Sequence, residues 1–110
     1  MNSQELETAV RVGAPFVTLI FRDDENGLIR LKQQRRFGRT SFIEFGNPDF
    51  VRYAESFGAK GYRVQAASDL RPMLEDAFRQ TVPSVIDCPV QYSSENLKLL
   101  EQLGQVICAV

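Results

Sequence analysis

Residues Arg36–Val64, RFGRTSFIEFGNPDFVRYAESFGAKGYRV, hold several independent signals for helix starts and stops. Gly38 is expected to end a preceding helix, because glycine adopts the left-handed conformation of a helix C-terminus without strain. Asn47-Pro48-Asp49 predicts a helix start, with Asn47 as the cap, a proline at the first helical position and an acid in the first turn. Gly58 is expected to close that helix, and Tyr62–Gln65 is predicted as a short strand.

On the N-terminal side, an apolar run and an acidic turn precede this segment. Residues 2–12 are predicted as an amphipathic helix. Phe16–Phe21, FVTLIF, is continuous, apolar and rich in residues that favour strands, which predicts a strand buried on both faces. The acidic turn Arg22–Gly27 follows it, and Leu28–Phe37 is predicted as a moderately basic helix.

On the C-terminal side, helices and strands continue to alternate. Ser68-Asp69 predicts a helix start, and Pro72 is tolerable there only in the first turn. Ser84–Val90 is predicted as a second apolar strand. Ser94 is expected to cap a last helix, and Val106–Val110 to form a terminal strand or a tail packed on a partner. This alternation predicts an α/β fold with βαβ connections and a parallel sheet.

The size and composition indicate one globular domain. The chain has 110 residues, of which 44% are hydrophobic and 25% charged, so residues 1–110 are predicted to form a single domain. The net charge of −1 gives no general attraction to nucleic acid or membranes. No apolar run approaches the roughly 20 residues of a membrane span. The N-terminal sequence is acidic and unlike a signal peptide, so a cytoplasmic location is expected.

The cysteines and the lack of histidine exclude several kinds of site. Cys88 and Cys108 lie in apolar, strand-like runs, and without a secretory signal they are predicted to be free, buried thiols. With no histidine, neither Ser-His-Asp nor Cys-His catalysis can be built from this chain, and a zinc site is not expected. Neither of these catalytic arrangements is therefore predicted, and no catalytic residue is assigned in this chain.

Two charged segments adjoin each other. The acidic turn Asp23–Gly27 follows a predicted strand, which is where ligands bind in open α/β sheets, and its oxygen atoms suit Mg²⁺. The more ordinary interpretation is a solvated loop whose acids lie at the positive end of the next helix.

A basic cluster follows the acidic turn. It is interpreted as a solvated helix face that pairs with these acids, with an anion or phosphate contact as the alternative. Nucleic acid is disfavoured, because no aromatic residues alternate with the cations. The cluster consists of Arg30, Lys32, Arg35, Arg36 and Arg39.

The acidic turn and Arg36–Val64, with the flanking stretches Glu5–Val10 and Pro89–Tyr92, resemble the end of an acetolactate synthase. The similarity is to the last part of the thiamine-diphosphate-binding domain of the catabolic type, and it covers nearly the whole chain. It implies a truncated thiamine-diphosphate-binding fold with three αβα layers and a short, mostly parallel sheet.

The resemblance also implies roles for individual residues. Asp23 corresponds to a side-chain ligand of Mg²⁺, and Glu25 to a ligand through its backbone carbonyl. The positions that correspond to cofactor-binding ones are Glu25, Asn26, Gly27 and Leu28. The positions that correspond to substrate-facing ones are Ile29, Lys32 and Tyr92. Three positions depart from the family's pattern, namely Glu25 for a small residue, Lys32 for a glutamine and Gln91 for an aspartate.

The family also has a Gly-Asp-Gly turn that binds the metal, and this turn would lie before Met1. In the family, that turn supplies another metal-binding aspartate and the helix N-terminus whose amides bind the diphosphate. We therefore expect this chain alone to bind neither thiamine diphosphate nor Mg²⁺ usefully, and to be inactive.

Two functions follow as hypotheses. In the first, the chain is a fragment of an acetolactate synthase, which condenses two pyruvates to 2-acetolactate with release of CO₂. In the second, it is a stand-alone α/β structural or protein-interaction module derived from that family. Because a shortened parallel sheet leaves an open edge, we expect self-association into a homo-oligomer or a contact with the rest of the parent enzyme. Neither nucleic acid nor membrane is expected as a partner.

Overall fold

A computed structural model describes residues 4–91, 98 and 102. The chain divides into two compact units, the first comprising residues 1–22 and 46–89 and the second residues 23–45 and 90–110. In the described part of the chain, the helices and strands are α1 (Gln4–Val12), β1 (Val17–Arg22), α2 (Gly27–Phe37), α3 (Phe50–Ser56), β2 (Lys60–Arg63), α4 (Ala67–Ala77) and β3 (Ser84–Pro89).

The three strands of the first unit form a parallel sheet in the order β1-β3-β2, which confirms the predicted parallel pairing. The central strand β3 is buried from Ser84 to Cys88. β1 lies at an edge of the sheet that the described strands form, so most of its side chains are only half-buried, and Phe21 is 66% exposed. The prediction that Phe16–Phe21 is buried on both faces is therefore wrong.

Helices cover both faces of this sheet. On one face, Leu6 of α1 and Ala54 of α3 pack with Val85 of β3 in the apolar core. Side chains alternate along a strand, and Tyr62 pairs with Ile86, the residue after Val85. The side chain of Tyr62 therefore points to the opposite face. There its hydroxyl donates a hydrogen bond of 2.6 Å to Asp76 of α4. The first unit thus has the expected αβα layers.

The start of α3 differs from the prediction. Asp49, and not Asn47, caps this helix, since its Oδ1 accepts hydrogen bonds from the amides of Val51 and Arg52 at 3.1 and 3.2 Å. The same carboxylate oxygen lies 2.8 Å from a guanidinium nitrogen of Arg63, an ion pair that an asparagine cap cannot make. Pro48 consequently precedes the helix.

The first turn of α4 also begins earlier than predicted. The Asp69 carboxylate accepts hydrogen bonds from the backbone amides of Gln65 and Ala66 at 3.2 and 2.8 Å. This arrangement starts the helix at Ala67, so Pro72 lies in its second turn rather than its first. β2 is likewise Lys60–Arg63 rather than Tyr62–Gln65.

Other predictions agree with the structure. α2 ends at Phe37, and Gly38 closes it in the left-handed conformation with φ 66°. Cys88 is buried and free. The expectations for Cys108, for a helix capped by Ser94 and for Val106–Val110 concern positions outside the described residues. Among the residues that are described, no helix has the length and apolar character to cross a membrane.

Candidate metal and cofactor site

The acidic turn belongs to the second unit, where a remote segment of backbone holds it in place. The amide of Asn26 donates to the carbonyl of Ile43 at 2.8 Å, and the amide of Phe45 donates to the carbonyl of Asp24 at 3.1 Å. Between these two bonds, Glu25 and Glu44 form an antiparallel bridge. The conformation of the turn is therefore set by backbone pairing, unlike that of a loosely solvated loop.

The supporting segment is itself attached to α2. The Gln33 side chain donates to the carbonyl of Ser41 at 3.2 Å and accepts from the amide of Ser41 at 2.8 Å. An open depression of about 350 Å³ is lined by Thr40–Glu44. These residues were not predicted to support the site. The order apolar, polar, apolar in Ile43–Phe45 is a short strand-like signal that indicates pairing.

The side chain and the backbone carbonyl of Glu25 make different contacts. Its Oε1 lies 2.6 Å from Nε of Arg30, and both side chains are about 30% exposed. This nitrogen makes no hydrogen bond, so the contact is an ion pair. The carbonyl of Glu25 accepts a hydrogen bond of 3.0 Å from the amide of Gly27. A carbonyl oxygen has two lone pairs, so one remains for a further ligand.

The N-terminus of α2 follows the turn and has no side-chain cap. Asn26 occupies the cap position, with φ −79° and ψ 77°, and its side chain makes no capping hydrogen bond. The first intrahelical bond runs from the amide of Arg30 to the carbonyl of Asn26 at 2.8 Å. The amides of Leu28 and Ile29 precede that bond, and the first turn carries no acid. Uncapped amides at the positive end of a helix suit a phosphate group.

The side chains predicted to face cofactor and substrate lie along α2. Leu28 and Ile29 are 64% and 49% exposed, and Lys32 is also exposed. Lys32 lies four residues after Leu28 and three after Ile29, so the three share one side of the helix. Tyr92 lies outside the described residues.

The donor set fits part of a magnesium–diphosphate site. Asp23 is half-buried and Asp24 is exposed, and carboxylate and carbonyl oxygens are the ligands that Mg²⁺ prefers. Among the described residues, no three acidic or thiol side chains converge as a metal cage. From this turn, the predicted ligands are one side chain, of Asp23, and one carbonyl, of Glu25. The remaining coordination positions need oxygens from other sources.

Arg30 connects the basic cluster to the acidic turn. Arg30 contacts Glu25, as described above. The guanidinium of Arg36 lies over the ring of Phe37 at 5.4 Å from its centroid. The other members of the cluster, Lys32, Arg35 and Arg39, are exposed. The predicted solvated helix face is confirmed, and the predicted pairing with the acids is found for Arg30.

Comparison with known proteins adds independent information. The family described as "Thiamine pyrophosphate enzyme, C-terminal TPP binding domain" matches residues 1–88. The acetolactate synthase of Bacillus subtilis (strain 168) is 40% identical over 110 residues, which cover 96% of this chain and 19% of that protein. The catabolic acetolactate synthase of Raoultella terrigena is 40% identical over 102 residues, which cover 93% of this chain and 18% of that protein. The chain thus spans about a fifth of the length of these curated relatives.

A solved structure shares the fold. The thiamine diphosphate-dependent 4-hydroxybenzoylformate decarboxylase of Rhodococcus jostii RHA1 superposes with a TM-score of 0.72 and 24% identity. The superposition covers 83% of this chain and 18% of that protein. At this level of identity, the likeness concerns the fold alone.

Proposed function

The chain belongs to the thiamine pyrophosphate enzymes, as part of their C-terminal cofactor-binding domain, and on this premise we propose that it is the C-terminal part of an acetolactate synthase. The parent reaction would join two pyruvates into 2-acetolactate and release one CO₂. The 40% identity to two acetolactate synthases over almost the whole chain supports this choice within the family. The reaction would take place in the cytoplasm, where the buried thiol of Cys88 stays reduced.

The observation that carries the proposal is the backbone-held acidic turn followed directly by an uncapped helix N-terminus. The Asp23 carboxylate and the Glu25 carbonyl would bind Mg²⁺. The uncapped amides at the start of α2 would bind the diphosphate. When bound, thiamine diphosphate supplies the electron sink of the reaction. The cofactor would contact Glu25, Asn26, Gly27 and Leu28.

The outward side of α2 would face the substrate. Ile29 offers an apolar contact to a methyl group, and the Lys32 ammonium attracts the carboxylate of a 2-oxo acid. Tyr92 is proposed to act near them on the ground of the resemblance alone. No residue of this chain is proposed as a catalytic acid or base.

We expect the chain alone to bind metal weakly and to catalyse nothing. With only two oxygen ligands from the protein, Mg²⁺ keeps most of its water molecules. The metal would therefore add little to the affinity for a diphosphate. A ligand at about 100 times its dissociation constant would add about 2.7 kcal/mol to the free energy of unfolding. We expect thiamine diphosphate with Mg²⁺ to leave Tm unchanged in differential scanning fluorimetry. A clear rise in Tm would contradict this expectation.

A chimera tests the function itself. The 110 residues replace the corresponding part of the Bacillus subtilis acetolactate synthase, and we expect the chimera to form acetolactate. Within it, Asp23→Asn removes the charged ligand, and the Mg²⁺ concentration for half-maximal activity should rise at least about tenfold. Asp24→Asn is the matched control and should change this concentration little. A folded but inactive chimera would favour the alternative, a stand-alone interaction module.

We also propose that the chain self-associates or packs against the rest of the parent enzyme. In the first unit, four large apolar side chains are between 42% and 73% exposed, namely Val12, Phe16, Phe21 and Phe78. Exposed apolar area of this kind is commonly covered by a partner. A homo-oligomer is the form expected for the isolated chain.

A further inference from the structure

A buried carboxylate joins the carboxyl ends of the three strands in the first unit. The side chain of Asp87, in the central strand β3, is 1% exposed. Its Oδ1 accepts a hydrogen bond from Nε of Arg22 at 2.9 Å, and its Oδ2 accepts one from Nε of Arg63 at 3.0 Å. Arg22 is the last residue of β1, and Arg63 is the last residue of β2. One carboxylate therefore holds both neighbouring strands where they end.

The same network reaches α3. A terminal guanidinium nitrogen of Arg63 donates to Asp49, the residue that caps this helix, at 2.8 Å. The hydrogen bond to Asp87 is the main cause that raises the pKa of Arg63. The backbone amide of Arg52 is the main cause that lowers the pKa of Asp49. The contacts of Asp87 with both arginines, and of Arg63 with Asp49, form a chain of ion pairs.

Stability alone is a poor explanation for Asp87. Burial of a charge costs several kcal/mol per ion, and apolar residues of similar volume often give equal or greater stability. Val85, two residues earlier on the same face of β3, packs in the apolar core. What the carboxylate provides, and an apolar side chain does not, is a directed bond of fixed length to each arginine.

The bond to Arg22 acts where backbone pairing ends. Arg22 lies opposite Pro89 in the register of β1 and β3, and a proline has no N–H to donate to the ladder. Ile20 is the residue opposite Asp87, so the Arg22 side chain reaches back by two residues to make its bond. The side chain thus restrains the last residue of β1.

We propose that Asp87 is a positioning residue for the metal-binding turn. Arg22 is joined by one peptide bond to Asp23, the proposed side-chain ligand, so a restrained Arg22 limits the backbone conformations from which the turn can start. The inference rests on the proposed function, because the restraint matters only if Asp23 binds a metal. Asp87 touches no ligand and acts through Arg22.

The test uses the ¹⁵N-labelled full chain and Mn²⁺, which broadens the NMR signals of nearby amides. Weak binding at the turn should broaden the signals of residues 23–27. Asp87→Asn keeps the shape of the side chain and removes its charge. The Mn²⁺ concentration for half-maximal broadening should then rise about tenfold, as is typical when a residue supporting a metal ligand is changed. Arg22→Lys keeps the charge but loses the Nε donor, and it should have the same effect.

Asp49→Asn is the matched control, because it removes a carboxylate at the far end of the same network. It should lower Tm and leave the Mn²⁺ concentration unchanged. Equal Mn²⁺ affinities in Asp87→Asn, Arg22→Lys and the unaltered chain would overturn the inference and leave the proposed function standing. No broadening at residues 23–27 of the unaltered chain would instead overturn the proposed metal site. If Asp87→Asn does not fold, Arg22→Lys decides.

Discussion

At the scale of single residues, the side chain and the backbone carbonyl of Glu25 have separate partners. The carboxylate is paired with Arg30, whereas the carbonyl remains in the turn with one lone pair uncommitted. A glutamate at this position is therefore compatible with the proposed role of its carbonyl as a metal ligand. The ion pair turns the larger side chain toward α2.

Tyr62 gives a prediction about pH. Burial, followed by the hydrogen bond to Asp76, raises the pKa of Tyr62 from 10.0 to about 12. Because the folded state holds this proton more tightly, the stabilisation is complete below pH 10 and is lost as the pH rises through 12. Absorbance titration of the unaltered chain minus that of Tyr62→Phe should show a midpoint near 12.

The variant Asp76→Asn tests the cause of the raised pKa of Tyr62. Loss of the carboxylate should lower the pKa of Tyr62 toward its ordinary value, because the charge of Asp76 opposes the phenolate. The Tm of the unaltered chain should also fall more steeply between pH 10 and 12 than the Tm of Tyr62→Phe. A difference titration centred at pH 10 would contradict the assignment.

At the scale of elements, α3 packs on β2 at the distance that a glycine permits. A Cβ on Gly61 would lie 2.8 Å from the carbonyl oxygen of Val51 and 2.9 Å from its Cα. These are backbone atoms, so the helix itself would have to move. We therefore expect Gly61→Ala to lower the free energy of unfolding by about 1–3 kcal/mol, the usual cost of overpacking.

Gly46→Ala is the control for that change. A Cβ at this position meets no atom within 4 Å, so its effect should stay within about 0.5 kcal/mol. Urea denaturation, followed by circular dichroism, measures both variants. Equal midpoints for the two would show that α3 shifts freely on β2.

The elements also show which parts of the fold a sequence can reveal. Gly38 and Gly58 end their helices as predicted, because a left-handed glycine is a local signal. The choice of Asp49 over Asn47 as a cap was not predictable, since it depends on an ion pair with Arg63, 14 residues away. Propensity alone ranks the two residues equally as caps.

The candidate site likewise has features that the sequence reveals and features that depend on contacts between distant residues. The acidic turn is visible as consecutive acids, whereas its support by Ile43 and Phe45 is a backbone contact between separate segments. The partners of Asp87 are 65 and 24 residues away. A signal for Asp87 was nevertheless present, because an acid inside the apolar run VIDCPV is rarely left unpaired.

At the scale of the whole molecule, apolar surface remains uncovered in the first unit. Phe21 and Phe78 are 66% and 73% exposed, and β1 is an edge among the described strands. We expect light scattering after size exclusion to give a mass above that of a monomer, increasing with concentration. A sharp monomer peak at high concentration would contradict self-association.

Substitution should locate the contact. Phe21→Lys places a charge on the apolar edge and should shift the scattering mass toward the monomer. Gln65→Lys adds the same charge at an exposed polar position and should leave the mass unchanged. If both variants lower the mass equally, the added charge and not the loss of Phe21 is the cause; if neither lowers it, the contact lies elsewhere.

The buried thiol in the central strand has a practical consequence for handling the protein. Cys88 is 8% exposed and lies in the central strand β3, so an alkylating reagent can reach it only when the packing around this strand opens transiently. In a Cys108→Ser background, the rate of alkylation would therefore report how often the packing around Cys88 opens. The same shielding would slow oxidative ageing of a stored sample at this sulfur.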